Sequence, residues 1–252
     1  MSFWFWHGLR NGIRTTGYPR VPESAKGVSP GRPLATEFAS AGDAATAAAA
    51  CPTGAIVADG KTAAVVLGKC VHCQRCRFGH QQPVAWSEDY EWTTAGSSRD
   101  GFNPLPVAYR RSTHIMVVDA ADCGACLREV RQLNNPFYNM HRLGLFLTAT
   151  PRAADVLLVV GPVSENMRGP LVKTYEAMPA PKKVIAVGTC AITGGVFGRT
   201  FVSAGGVASV LPVDLEIPGE PPPPLAILHG LLVATGRRPA VPRESFPAER
   251  TA

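Results

Sequence analysis

No uncharged apolar run in these 252 residues reaches the roughly 18 needed to cross a bilayer. The N-terminal segment MSFWFWHGLRNGIR places its apolar residues ahead of its arginines and has no small-residue cleavage site, so it does not read as an export signal. Charge is scarce, at 17% of residues against a usual ~25%. That excludes a disordered polyelectrolyte. The net charge of +6 is also unevenly placed. Residues 1–33 hold Arg10, Arg14, Arg20, Lys26 and Arg32 against Glu23 alone, so the remainder has too little excess for a basic groove. Nucleic acid is therefore not an expected partner.

Glycine (25) and proline (23) are abundant, together roughly a fifth of the chain against a usual ~12%. They imply many turns and irregular straps without a collagen period. Apolar residues make up 46%, enough for a sizeable core.

Seven cysteines carry the chemistry: Cys51, Cys70, Cys73, Cys76, Cys123, Cys126 and Cys190. Without an export signal, structural disulfides are not expected. Cys70-Val-His-Cys73-Gln-Arg-Cys76 is a C-x-x-C-x-x-C run, and Cys51 is followed by Pro52. Soft thiolates closely spaced in one loop suit an iron–sulfur cluster. Zinc is the competing ligand, although zinc ribbons favour two separated C-x-x-C pairs.

The pattern resembles one half of a bacterial-type ferredoxin, where C-x-x-C-x-x-C-x-x-x-C-P occurs twice and each fourth Cys serves the other run's cluster. Counting back from Cys51 by the ferredoxin steps gives Ala47, Ala44 and Ala41. Counting forward four from Cys76 gives His80, followed by Gln81 rather than Pro. One cluster's ligands are thus all replaced, while the other's are all present. A polar surface role is the favoured reading of His80, with an iron ligand the alternative.

Residues 1–100 resemble the eight-iron ferredoxin-like subunit of complex I and of formate hydrogenlyase-type hydrogenases. The resemblance rests on Arg14-Thr-Thr-Gly-Tyr-Pro19, Gly31-Arg-Pro33, Cys51-Pro-Thr-Gly-Ala-Ile56, Gly68-Lys-Cys-Val-His-Cys73 and Glu88-Asp-Tyr-Glu91. It implies one 4Fe–4S cluster on Cys51, Cys70, Cys73 and Cys76. The second cluster is the departure.

From residue 112 apolar runs of strand length alternate with helical stretches. The pattern predicts strands over 113–119, 144–148, 155–160, 183–188 and 213–217, and helices near 127–133, 166–178 and 222–234. The expected fold class is α/β: a ferredoxin-like N-terminal iron–sulfur domain and a doubly wound, flavodoxin-like parallel-sheet domain. The expected divisions are an amphipathic arm and strap (1–35), the ferredoxin-like domain (36–100), and the sheet domain with its tail (101–252). Residues 87–111 are expected to link the two cluster-binding parts. Trp6, Leu9 and Ile13, with Phe3 ahead and Arg10 and Arg14 nearby, suit a short helix lying on a partner or a membrane surface.

Cys123 and Cys126 follow the first of these strands, and Cys190 follows the fourth. Open parallel sheets bind ligands beyond their carboxyl edges, so three thiols placed there suggest a second cluster. Gly194-Gly-Val-Phe-Gly198 lacks the phosphate-loop pattern and is not read as a nucleotide site.

Gly161-Pro-Val-Ser-Glu-Asn-Met-Arg168, Thr174-Tyr-Glu-Ala177, Val187-Gly-Thr-Cys190, Gly194-Gly-Val-Phe197 and Val213-Asp-Leu-Glu-Ile-Pro-Gly219 resemble the small-subunit family shared by complex I and membrane-bound group 4 nickel–iron hydrogenases. That resemblance covers about residues 112–236. It implies a second cluster, 4Fe–4S or 3Fe–4S, on Cys123, Cys126 and Cys190. The Cys123-x-x-Cys126 spacing leans to the hydrogenase branch. The family continues Pro-Gly-Cys-Pro-Pro with its fourth ligand, whereas this chain has Glu220 there. A carboxylate ligand, a three-iron cluster and an empty site all remain open. Glu129, three residues after Cys126, falls where relatives keep acidic residues, and an ordinary helix-surface role is equally open.

The resemblance implies an iron–sulfur electron-transfer subunit of a membrane-associated, complex I-like or formate hydrogenlyase-like oxidoreductase. Its partners would be a large catalytic subunit and membrane ion-translocating subunits. Its location would be cytoplasmic, peripheral on the inner membrane. A quinone-reducing complex I-like module and a structural adaptor with one cluster are the alternatives.

Overall fold

The computed structural model describes residues 3–78, 83–96 and 102–241, so His80 and Gln81 lie outside the described residues. The chain begins with helix α1 (Phe3–Asn11), none of whose residues is buried. Short strands β1 (Arg32–Pro33) and β2 (Thr36–Glu37) lead into helix α2 (Ala41–Ala49) and the hairpin β3 (Ile56–Asp59)–β4 (Thr62–Val65). The run Cys70–Cys76 then enters the single-turn helix α3 (Arg75–Phe78), followed by β5 (Trp86–Ser87) and β6 (Thr94–Ala95). Strands β2, β4 and β3 form a small antiparallel sheet, and β1 pairs antiparallel with β5.

Helix α2 accounts for two of the three alanines. Ala44 and Ala47 are buried against Phe38, Ile56 and Val65, filling with small side chains the place where a second ligand run would fall. The helix is capped by Ser40, whose Oγ accepts from Asp43 N at 3.2 Å and donates to Asp43 Oδ2 at 2.8 Å. Removing this cap by Ser40→Ala is expected to lower stability by about 1 kcal/mol, read as an earlier denaturant midpoint.

The larger half is built on β7 (Thr113–Asp119), α4 (Ala125–Gln132), β8 (Leu145–Leu147), β9 (Val156–Val160), α5 (Glu165–Ala177), β10 (Lys183–Val187), α6 (Thr189–Thr193), β11 (Leu215–Ile217) and α7 (Pro224–Ala234). Its five parallel strands lie in the order β8-β7-β9-β10-β11. Counted along the chain that is 2-1-3-4-5, the flavodoxin-like arrangement, with the order reversing between β7 and β9.

Every residue of β9 is buried, and its alternation feeds two cores. Val156, Leu158 and Val160 join Val130, Leu133 and the wholly buried α7. Leu157 and Val159 join Leu171 of α5 and Ala191 of α6 on the other face. Helices on both faces are what near-continuous apolar strands require. In α7 the one ionisable group is His229, whose Nδ1 lies 3.0 Å from Thr93 Oγ1. Burial lowers its pKa, so it serves as a neutral hydrogen-bonding group.

The sequence pattern places the five parallel strands and the helices α4, α5 and α7 within two residues, but the stretch read as a linker differs. β6 within it joins the large sheet, antiparallel to β11, and nearby Trp92 donates from Nε1 to Pro218 O at 2.7 Å. Tyr18, Tyr90 and Trp92 belong to the same buried cluster as α7. The two halves therefore share a core across this stretch. The helix expected from 222 starts at Pro224, since Pro223 stands in extended backbone as its cap.

Candidate functional site

Cys51, Cys70, Cys73 and Cys76 all line one pocket, walled also by Pro33 and Trp86. The loop curls its thiols inward because the intervening His72 (φ 49°) and Gln74 (φ 57°) adopt left-handed backbone that side chains disfavour. His72 packs against Trp86 and Trp92, ring centroids 6.1 and 6.0 Å away, and its Nδ1 lies 3.3 Å from Cys70 O.

The four thiols are electrostatically unequal. Burial works to raise Cys51, but the Thr53 N–H and hydroxyl and the Ala55 and Ile56 N–H groups outweigh it and hold its pKa below normal. Ala55 N donates to Cys51 Sγ at 3.3 Å. Burial, opposed by the His72 N–H and assisted by the neighbouring cysteines, pushes Cys70 up to about 12. Burial also raises Cys76, opposed by the indole of Trp86. Trp86 Nε1 nevertheless has no partner with full hydrogen-bond geometry, and His72 Nε2 has none either. Of these two, the Trp86 indole N–H lines the pocket and can only donate, which fits a group that carries acceptor sulfurs.

The second set gathers at the carboxyl edge of the large sheet. After β7, Asp119 Oδ1 accepts from Ala121 N and Asp122 N at 3.0 and 2.7 Å. Asp122 Oδ2 then accepts from Gly124 N and Leu127 N at 2.9 and 3.1 Å, fixing the start of α4. This turn leaves Cys123 exposed and carries Cys126 into the interior. Cys190 enters from the first turn of α6, and Glu220 follows β11. Cys190 Sγ lies 3.5 and 3.7 Å from the two carboxylate oxygens of Glu220.

Two glycines make room for these sulfurs. A Cβ on Gly188 would lie 2.5 Å from Cys126 Sγ, and one on Gly195 would lie 2.7 Å from Cys190 Sγ. Burial, then Asp122, Glu220, Cys190 and Cys123, drives the Cys126 pKa far above normal. Burial and Glu220 push Cys190 up to about 12. Glu220 is itself raised by burial, opposed by its contacts to Cys190. Acids crowded this way resist ionising together, and a cationic centre among them reverses that cost. The donor set thus fits a metal cluster. Among the described residues, no three His, Cys, Asp or Glu side chains are gathered tightly enough to hold a single metal ion.

The structure brings together both predicted sets, including Glu220. Glu129 is half-buried with its pKa raised by burial, and it is not among the largest influences on Cys126 and Cys190. The sequence motifs contain Gly188, Thr189 and Gly195 but assign them no individual role, and Trp86 is not singled out. Their roles depend on contacts between distant segments.

Residues 123–234 match the model of the NADH ubiquinone oxidoreductase 20 kDa subunit family. An uncharacterized protein of Methanocaldococcus jannaschii is 43% identical over 123 residues, which is 49% of this chain and 82% of that relative. A probable membrane-bound hydrogenase subunit of Pyrococcus furiosus is 36% identical over 139 residues, 55% of this chain and 83% of its own length. The chain belongs to the 20 kDa subunit family. A third relative is formate hydrogenlyase subunit 7 of Escherichia coli, 36% identical over 127 residues, but the match spans only 50% of that protein. The family region begins at Cys123, so it contains the whole second set of ligand candidates. The Cys51–Cys76 pocket lies outside it. No helix among the described residues is long and apolar enough to cross a membrane.

Proposed function

We propose that this 20 kDa-family chain is an iron–sulfur electron-transfer subunit of a membrane-associated, complex I-like or group 4 hydrogenase-type oxidoreductase. One 4Fe–4S cluster would be held by Cys51, Cys70, Cys73 and Cys76 in a ferredoxin-like part spanning about residues 36–100. A second cluster would be held by Cys123, Cys126 and Cys190, with Glu220 in the fourth position. Such clusters supply one-electron transfer. The residues of this chain bind them, bury them and set the charge around them. The catalytic centre would belong to a large partner subunit, with ion-translocating subunits in the membrane and this chain peripheral to them on the cytoplasmic side.

The observation that carries this reading is the convergence of seven separate cysteines into two groups, one in the N-terminal pocket and one at the switch-point edge of the sheet. Cys123-x-x-Cys126 favours the hydrogenase branch over a quinone-reducing module. The test is iron, sulfide, zinc and nickel content of the anaerobically purified chain, with EPR during reductive titration. About eight irons and two signals are expected, or about seven if the second site holds three irons. About four irons and one signal would overturn the relay and leave a structural adaptor with one cluster. Zinc in place of iron would overturn both.

A further inference from the structure

The loop that carries Cys70 is docked directly on the helix that carries Cys190. Thr189, fully buried, donates from Oγ1 to Cys70 O at 2.9 Å, with a longer contact of 3.4 Å to Gly219 O. Its backbone N donates to Gly219 O at 2.9 Å. Thr193, one turn on, donates from Oγ1 to Gly68 O at 2.9 Å. The approach is close: a Cβ on Gly68 would lie 3.2 Å from Ile192 Cγ2.

Thr189 therefore touches ligand-bearing segments of both sites. Its hydroxyl donates to the Cys70 carbonyl, it is covalently joined to Cys190, and it is hydrogen-bonded to the residue preceding Glu220. From the Cys70 backbone to Cys190 Sγ the path runs through covalent bonds and a single hydrogen bond, with no gap across space. Electron tunnelling decays more slowly along bonded atoms than across van der Waals contacts. The Thr193 contact ties the same segments together but ends at Gly68, two residues short of the nearest thiol-bearing residue.

Resting on the two-cluster reading above, we infer that Thr189 is the positioning residue through which electrons pass between the two sites. In each step one electron leaves a reduced cluster on the Cys70 side and arrives at an oxidised cluster on the Cys190 side, or the reverse. No bond is made or broken, and the hydroxyl proton stays on Thr189 Oγ1.

The experiment uses the full chain, anaerobically loaded, as wild type and as Thr189→Val, Thr189→Ser and Thr193→Val. Iron, sulfide and the two EPR signals at full reduction are measured first. The chain is then mixed with a deficit of dithionite and frozen at increasing times, so that redistribution between the two signals gives the exchange rate. Thr189→Val is expected to keep both signals and redistribute several-fold more slowly, with Thr189→Ser restoring the native rate and Thr193→Val leaving it unchanged. Native-rate redistribution in Thr189→Val overturns the assignment, as does equal slowing in Thr193→Val, which would trace the effect to docking rather than to the route. Thr189→Ala carries the same comparison if Thr189→Val does not accumulate folded. A single signal in the wild-type chain at full loading would instead sink the two-cluster reading, and the inference with it, before any rate is compared.

Discussion

Substituting Gly188 with alanine is expected to empty the second site while leaving the first intact. Gly188 stands between β10 and α6 at φ 89° and ψ 154°, backbone that is essentially glycine-only. Its missing side chain is also the space occupied by Cys126, whose Sγ would lie 2.5 Å from the new Cβ. Neither conflict has a cheap resolution. Cys126 is fully buried on the first turn of α4 and cannot swing into solvent. Gly188 is anchored by its own N–H to Ile217 O at 2.9 Å, so the backbone cannot back away without opening the β10–β11 edge. The backbone conflict alone is worth on the order of 1–3 kcal/mol, and displacing Cys126 removes one of three thiols from the proposed ligand set. The Gly188→Ala chain should therefore retain about four irons and the EPR signal of the Cys51–Cys76 site and lose the other signal. Equal loss from both sites would mean general unfolding, which far-UV circular dichroism would reveal. Retention of both signals would mean that Cys126 is not a ligand.

The parts of the molecule legible in the sequence are those governed by local pattern. The strands β7, β9 and β10 announce themselves as apolar runs because both faces of a parallel sheet are covered, and the buried VLLVV of β9 is the clearest case. The Cys70–Cys76 run is equally legible, because cysteine spacing within one loop is a local property, whereas Cys51 and Cys190 come to their groups from distant segments. What was hidden depends on distant segments meeting. β6 is a two-residue strand, Thr94–Ala95, whose identity comes entirely from the β11 edge it joins. The helix over Ala41–Ala49 has high intrinsic propensity, yet the same alanines read first as vacated ligand positions, and only the packing of Ala44 and Ala47 shows their role. Gly188 and Gly195 are two among 25 glycines, and nothing in their immediate neighbours says that a sulfur occupies the place of each missing side chain. Thr189 is likewise an ordinary helix-start threonine until Cys70, more than a hundred residues away, is folded against it.

The Glu220→Cys chain is expected to differ most from the native one in how firmly the second site holds its last iron. Glu220 occupies the position from which a fourth thiolate would act, immediately after Gly219, and its carboxylate already lies 3.5 Å from Cys190 Sγ. A carboxylate oxygen is a harder donor than a thiolate and binds a soft iron–sulfide cluster more weakly. Burial raises its pKa, opposed by its contacts to Cys190. On the two-cluster proposal, the weaker donor would make an iron bound by Glu220 the one most easily lost. On mild oxidation the native second site should decay to about three irons and give the EPR signal of an oxidised three-iron cluster, whereas Glu220→Cys should hold about four and show little of that signal. Glu220→Ala should start in the three-iron form without oxidation, because neither donor is present. The Cys51–Cys76 signal serves as an internal standard in all three chains, since its ligands do not include residue 220. If native and Glu220→Ala chains lose iron alike, the carboxylate is not a ligand and the second site holds its cluster by three thiols alone. If Glu220→Cys is no firmer than the native chain, residue 220 is not the fourth ligand position, despite its contact with Cys190.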